Sequence, residues 1–382
     1  MARMIPAPQG CVTKVSFIDL GENIKAVVHC DGSTLAFADM NGKRYKDLYN
    51  DREPFDRRSH GFLFDKEELT RAGQFCVSFI CRKDAGVLHE PGSVAWANVS
   101  FDPALAVPYR QAVASTDRGL ALKSSTCETV CQGVEYSVEH YALPTGEPVV
   151  AYVLKYDPGV AQLCTGTPNG TYDYRNQQQT VMEEALYAQK QGKQVIAAFN
   201  ADFFDMFGDC APSGLCVKDG QIVANPDSDR FFLGFTKDGR HIIDNLAGQP
   251  WLLEDLEHAV GGRELLLRDG EIWDVAVGES FGYTPHPRTV AGLCGDGSVV
   301  IAVVDGRRPW HSNGATLYDA AVLLRRHGAV RGINLDGGGS STFIVENKQG
   351  RLEMLNHPAD LHRPYEDLIR DVFDSILIVK KS

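Results

Sequence analysis

No stretch of this 382-residue sequence approaches the ~20 consecutive apolar residues that a membrane-crossing helix needs. Its 10 cysteines contain no Cys-x-x-Cys and no paired cluster with zinc spacing, which speaks against a structural zinc site. Scattered thiols in a chain this long read as small buried apolar residues; Cys210 and Cys216, which flank a loop, are the pair to watch. There is no block of basic residues. With 38 Lys and Arg against 50 Asp and Glu, the net charge is −12, so neither nucleic acid nor an anionic membrane is the expected partner. No repeat or low-complexity run occurs. Met1-Ala2-Arg3-Met4-Ile5-Pro6 carries one arginine but no apolar core segment behind it, so the expected location is cytoplasmic unless a leader was trimmed.

Hydrophobic residues make up 43% and charged residues 23% of the chain, an ordinary globular balance. At roughly 100–200 residues per domain, the length predicts two or three domains. Residues 12 to about 105 are β-rich. Asn41-Gly42 between two apolar runs is a strong hairpin signal. This part carries no chemistry-bearing cluster. It suits a packing or oligomerisation module, or a lid over a substrate, and a homo-oligomer stays open. Prolines at 103 and 108 set the expected boundary, giving domains 1–108 and 109–382.

Beyond residue 132 the pattern mixes. Strands are expected over 149–156, 195–199, 298–304, 330–335 and 375–379. Helices are expected over 178–191 and 316–327, the second stopped by Gly328. The prediction is an α+β fold, a mixed β-sheet with packed helices, preceded by the smaller β-rich domain.

Several strands run directly into an aspartate: Asp202, Asp305 and Asp336, with Asp157 a weaker fourth. A strand is a rigid platform for a polar group at its end. Glycosyl transfer to water needs a carboxylate as nucleophile or base. Asp336 opens Asp336-Gly337-Gly338-Gly339-Ser340-Ser341, where glycines permit close backbone approach and successive N–H groups can form an anion nest. No Gly-Lys-Ser/Thr closes this turn, and the Gly-x-Gly-x-x-Gly spacing is absent, so it is neither a P-loop nor a dinucleotide fingerprint. Arg288 and Arg307 offer planar forks that match phosphate oxygens. Arg325 and Arg326 sit in a helix's last turn and receive no role. His311 can act as acid or base, or simply belong to a helix-entry loop capped by Ser312 or Asn313. Trp310 beside it can stack on a sugar or pack.

The segments Asn200-Ala-Asp-Phe-Phe204, Pro212-Ser-Gly214, Pro287-Arg-Thr289, Val304-Asp-Gly-Arg307 and Asn334-Leu-Asp-Gly-Gly-Gly-Ser-Ser-Thr342 resemble the phosphodiester glycosidase family in order and spacing. Asn356 to Asp360 and Arg370 resemble its closing motif. The resemblance covers roughly residues 130–382. Many members have Asn-Gly-Gly-Phe-Phe where this chain has Asn200-Ala-Asp-Phe-Phe, so Asp202 adds a carboxylate, either catalytic or metal-binding with Asp205 or Asp209.

The resemblance implies cleavage between the anomeric carbon of a sugar, N-acetylglucosamine among the candidates, and a phosphate oxygen. The expected substrate is a small glycosyl phosphodiester or a glycan. Arg288, Arg307 and the turn Gly337–Ser341 would hold phosphate. Asp305 or Asp336 would supply the carboxylate, with Asn200 and Asp202 lining the pocket. This chemistry requires no cofactor. Two alternatives stay open: a divalent-metal phosphodiesterase that cuts P–O, its aspartates serving as ligands, and a non-catalytic carbohydrate- or phosphate-binding protein.

Overall fold

The computed structural model describes residues 4–6, 12–19, 22–30, 33–46, 59–81, 94–108 and 120–381, except 144–145, 227, 248, 274–281, 283, 309, 364–365 and 368. Met1–Arg3, Cys11 and Pro309 lie outside the described residues, as do the side chains of Cys30 and Cys81. The chain divides into two units: Met1–Asp117 with Val277–Thr284, and Arg118–Ala276 with Pro285–Ser382.

The first unit holds sheets of five and four strands. Its core is aromatic, gathering Phe17, Phe62, Phe64, Phe75 and Phe79, with the Phe64 and Phe75 rings 4.7 Å apart. Asn41 and Gly42 take φ of 50° and 80°, and Met40 pairs with Lys43 across them. Positive φ at both central residues is what a two-residue type I′ hairpin demands.

The second unit is built on an eight-stranded sheet and two five-stranded sheets. In the large sheet, Pro148–Tyr156, Val299–Val304, Arg288–Cys294 and Ala329–Asn334 lie side by side. Facing it are Ala161–Gly166, Ser375–Lys380, Val195–Asn200 and Phe343–Glu346. Tyr152, Ile301, Val303 and Ile333 of the first meet Phe199, Phe343, Ile376 and Ile378 of the second in one core. The helix Val181–Lys190 covers the far face of the smaller sheet, with Val181 and Ala185 packed against Ala198, Ile344 and Leu377. Both faces of Val195–Asn200 are therefore buried at every position. Burial on both faces is why these strands read as continuous apolar runs without alternation.

The second helix, Leu317–Arg326, starts at a capping box between Thr316 and Asp319 and carries Arg325 and Arg326 in its last turn. The expected caps Ser312 and Asn313 are thus displaced by Thr316. Gly328 follows at φ +90°, the left-handed conformation that ends helices.

Among the described residues, those in strands far outnumber those in helices. Sheets with packed helices are present as expected, with the balance weighted towards strands. The third sheet, from Cys216–Lys218, Gln221–Ala224, Phe232–Thr236, His241–Asp244 and Leu256–Gly261, is made of strands too short for a hydrophobic period to register. Among the described residues no helix is long and apolar enough to cross a membrane. Cys210 and Cys216 are separate buried thiols.

Candidate active site

The strands Val195–Asn200, Val299–Val304 and Ala329–Asn334 deliver their C-terminal ends to one region. Asn200 ties it together. Its Nδ2 donates to the Asp336 carbonyl at 2.8 Å. Its Oδ1 accepts the Thr289 hydroxyl at 2.7 Å and the Thr342 amide at 3.0 Å. Asn200 is fully buried, and both ends of its amide are used within the fold. It positions three motifs and does not face a ligand, which corrects its expected place in the pocket lining. Asn200→Ala leaves those three groups without a partner. The expected loss is about 2–4 kcal/mol of stability, read as a lower urea midpoint at unchanged slope; an unchanged midpoint would contradict the staple.

The turn after Asp336 is shaped by close approach. A Cβ on Gly337 would lie 2.3 Å from the Pro287 carbonyl oxygen, and one on Gly339 would lie 2.2 Å from Asp360 Oδ2 and 2.4 Å from Arg370 Nη2. Gly338 takes φ +62° with Arg307 Nη1 3.3 Å from the place of its missing Cβ. The amides of the turn are largely spent inside the protein. Gly337 N–H donates to Asp336 Oδ1 at 2.8 Å. Gly338 N–H donates to Pro287 O at 3.0 Å, and the Ser340 and Ser341 amides donate to Gly337 and Gly338 carbonyls. Ser340 and Ser341 are themselves buried. The turn is therefore no anion nest. Its glycines make room for Arg307, Asp360 and Arg370 to lie against the backbone.

Asp336 is half-buried at the head of this turn. Burial pushes its carboxyl up to about 6, against the pull of the Ser340 hydroxyl, the Gly337 amide, Arg370 and Arg307. Arg370 is held by Asp360 at 2.6 Å and reaches the Ser340 hydroxyl at 3.5 Å. Arg307 is exposed and sits in the left-handed region at φ 60°. That conformation costs roughly 1–2 kcal/mol for a residue with a side chain, and such strain clusters at functional sites. Arg288 is different: fully buried, its Nε donates to the Ala315 carbonyl at 3.0 Å. Burial lowers its guanidinium to about 9. It supports the strand floor and is withdrawn as a phosphate ligand.

Asp305 is also enclosed. His311 Nε2 lies 2.8 Å from its Oδ2, Asn356 Nδ2 donates to Oδ1 at 3.2 Å, and the His357 amide reaches both oxygens at 3.1 Å. The Tyr152 hydroxyl bonds it as well and is pushed far above its usual range, chiefly by burial. A carboxylate so completely used cannot attack a substrate. It orients His311, whose side chain is one quarter exposed and meets the His357 ring edge-on at 4.9 Å. Trp310 beside it is 76% exposed. Sequence reasoning did not find Tyr152 or the part of His357. His357 lies within the closing motif Asn356–Asp360 but received no role there, while Tyr152 stands in no motif and only the pairing of Pro148–Tyr156 with Val299–Val304 brings it alongside.

Asp202 turns inward: it is 2% exposed and its Oδ2 accepts the Gly214 amide at 2.5 Å. Asp205 and Asp209 are exposed and cap their own loop, bonding the Phe207 and Ala211 amides. The expected grouping of these three around a metal is not formed. Among the described residues, the His, Cys, Asp and Glu side chains close enough to share an ion are Asp219, Glu257 and His258. There, His258 Nδ1 accepts the Thr165 and Asp219 amides, and Lys193 and Lys218 pair with Asp219.

A strand-end carboxylate in the field of two arginines, and a histidine held by a buried aspartate at the end of another strand of the same sheet, make a hydrolase-like set. Residues 193–377 match the family model described as phosphodiester glycosidase, so this part of the chain resembles that family. It is 26% identical over 180 residues to mouse N-acetylglucosamine-1-phosphodiester alpha-N-acetylglucosaminidase, a match covering 43% of this chain and 33% of that one. A stretch of 63 residues is 46% identical to the prophage-derived protein YomE of Bacillus subtilis strain 168, covering 16% of this chain and 10% of that protein. The chain thus spans about a third or less of these curated relatives. The fold is similar to the zebrafish N-acetylglucosamine-1-phosphodiester alpha-N-acetylglucosaminidase catalytic domain auto-inhibited by pro-peptide, with a TM-score of 0.55 and 20% identity, covering 68% of this chain and 88% of that one.

Proposed function

We propose that this protein hydrolyses the glycosidic C–O bond of a sugar-1-phosphodiester, releasing free sugar and a phosphomonoester. The observation that carries the reading is Asp336: a half-buried carboxyl, raised to about 6, under the influence of Arg370 and Arg307. Arg307 and Arg370 would bind the phosphate, where charge accumulates as the bond breaks. Asp336 would stabilise or attack the oxocarbenium-like anomeric carbon. His311, oriented by Asp305, would carry the proton of the attacking water or of the departing phosphate. Water's oxygen ends on the sugar, and the bridging oxygen leaves with phosphorus. Phosphate is already a good leaving group, so the site needs charge stabilisation more than a strong acid. N-acetylglucosamine, named in the mouse and zebrafish relatives, is the first sugar to test.

Because Asp336 works as a carboxylate in this reading, protonation stops it. The rate should rise with pH through about 6 and flatten above, a limb absent from the buffer-corrected profile if another group controls the step. The test of function is a panel of sugar-1-phosphodiesters with and without chelator. Free sugar and phosphomonoester in the presence of chelator support the glycosidase. Sugar-1-phosphate as product, or activity lost to chelator and restored by a divalent ion, would support the phosphodiesterase. Binding without turnover across the panel would support a binding protein.

A further inference from the structure

The fold encloses acids that the proposed reaction does not touch. Asp202 and Asp374 are 2% and 1% exposed. Asp374 Oδ1 accepts the Asp202 amide at 2.9 Å, and Asp202 Oδ2 accepts the Gly214 amide. The other oxygen of each, Asp374 Oδ2 and Asp202 Oδ1, is buried with no hydrogen-bond donor. Glu184 repeats the pattern on the helix Val181–Lys190: Oε2 accepts the Ser375 hydroxyl at 2.5 Å and Oε1 has no donor. An enclosed carboxylate oxygen without a donor is costly when charged, and a proton on it removes that cost. Asp202 and Asp374, brought together from distant parts of the chain, do not ionise together.

The segment of Asp202 leads to the site. The Ala201 carbonyl accepts the Asp336 amide at 2.9 Å, while the next amide, that of Asp202, is held by Asp374. The charged and titratable groups facing the pair are Asp336 from the turn, Glu184 from the helix, Cys216 from its strand and Arg230 from the loop before Phe232. One cation against these acids leaves the pair in excess negative charge unless it is protonated.

We propose that Asp202 and Asp374 form a proton-holding pair behind Asp336, and that Asp374 is a positioning residue whose loss of that proton at higher pH weakens the ionised form of Asp336. Burial, with Asp336 adding to it, brings Asp374 up to about 7 and raises Asp202 well above the usual carboxylate range. The sign for stability follows. Both acids bind protons more tightly folded than unfolded, so the stabilisation is full below ~4, the unfolded value, and is lost as pH rises through about 7 for Asp374. The catalytic consequence rests on the proposed role of Asp336; the proton itself does not.

The test is infrared spectroscopy in heavy water, with a carbon-13 NMR titration of the aspartate carboxyls, on the intact protein and on Asp374→Asn. The expected result is a protonated-carboxyl stretch at pH 6 that fades through neutrality. A second inflection in the Asp336 titration should appear over the same range, and the fading part of the stretch and the inflection should both be missing from Asp374→Asn, in which the stretch of Glu184 remains. The wild-type rise of kcat/KM with pH should be broadened towards neutrality by the second inflection and sharpen to a single step in the variant. No such band at pH 6 in the wild type overturns the pair, and so does an undiminished band in Asp374→Asn. A band abolished by added calcium or sodium, with a raised Tm, also overturns it in favour of a bound cation. Should Asp374→Asn not fold, the wild-type band and Asp202→Asn decide in the same way. A band and second inflection without any change in the pH–rate profile would uphold the pair and overturn the catalytic role of Asp336 instead.

Discussion

Asp336→Asn is expected to lower kcat by about a thousandfold or more, with KM changed little and the fold intact. The size follows from removing the carboxylate that the proposed reaction sets against developing positive charge on the sugar; loss of a group acting only in the transition state appears in kcat. The fold should survive because asparagine keeps an oxygen for the Gly337 amide at 2.8 Å and the same volume. It also removes the burial cost that pushes the carboxyl up to about 6, so thermal stability should be equal or slightly higher. Arg307 and Arg370 stay in place, which keeps phosphate binding and KM. Full activity in this variant would remove Asp336 from the chemistry.

Asp305→Asn should cost about 10³-fold in kcat, again with little change in KM. Asp305 meets donors on every side: the His311 ring, the Asn356 amide, the His357 backbone N–H and the Tyr152 hydroxyl. An asparagine there presents an NH₂ to one of them, and His311 loses its orientation and preferred tautomer. An aspartate that merely holds a catalytic histidine can matter this much in other hydrolases. Asp305→Ala would go further, leaving buried donors without an acceptor and destabilising the fold by about 3–5 kcal/mol. The isosteric variant is therefore the informative one, and its unfolding curve must be measured beside its kinetics. Wild-type turnover in Asp305→Asn would mean that His311 moves no proton in the reaction.

Local signals in the sequence survived into the structure. Asn41-Gly42 closes its hairpin because two adjacent positive φ angles are a property of those two residues alone. The apolar runs into Asp202, Asp305 and Asp336 are strands, and the two helical periods became Val181–Lys190 and Leu317–Arg326. Which way a motif's side chains turn was not legible. Arg288, Ser340, Ser341 and Asp202 belong to the same set of matching segments as Arg307 and Asp336, yet they are buried while Arg307 is exposed and Asp336 half-buried. A glycine-rich turn permits close approach without saying what approaches, and here it is side chains of the same chain rather than an anion. The partners of Asp305 come from strands and loops far apart in sequence, so no spacing rule could assemble them. The long hairpin of Ala121–Cys131 and Val134–Ala142 also escaped notice, since its first strand is exposed at nearly every position and shows no apolar run.

The measurement that bears most directly on the central claim is turnover of a sugar-1-phosphodiester in heavy-oxygen water, with the position of the label read by mass spectrometry. Cleavage at the anomeric carbon places the label in the hydroxyl of the free sugar and none in the phosphomonoester. Label in the phosphomonoester would mean attack at phosphorus, and would contradict the assignment of Asp336 to the sugar.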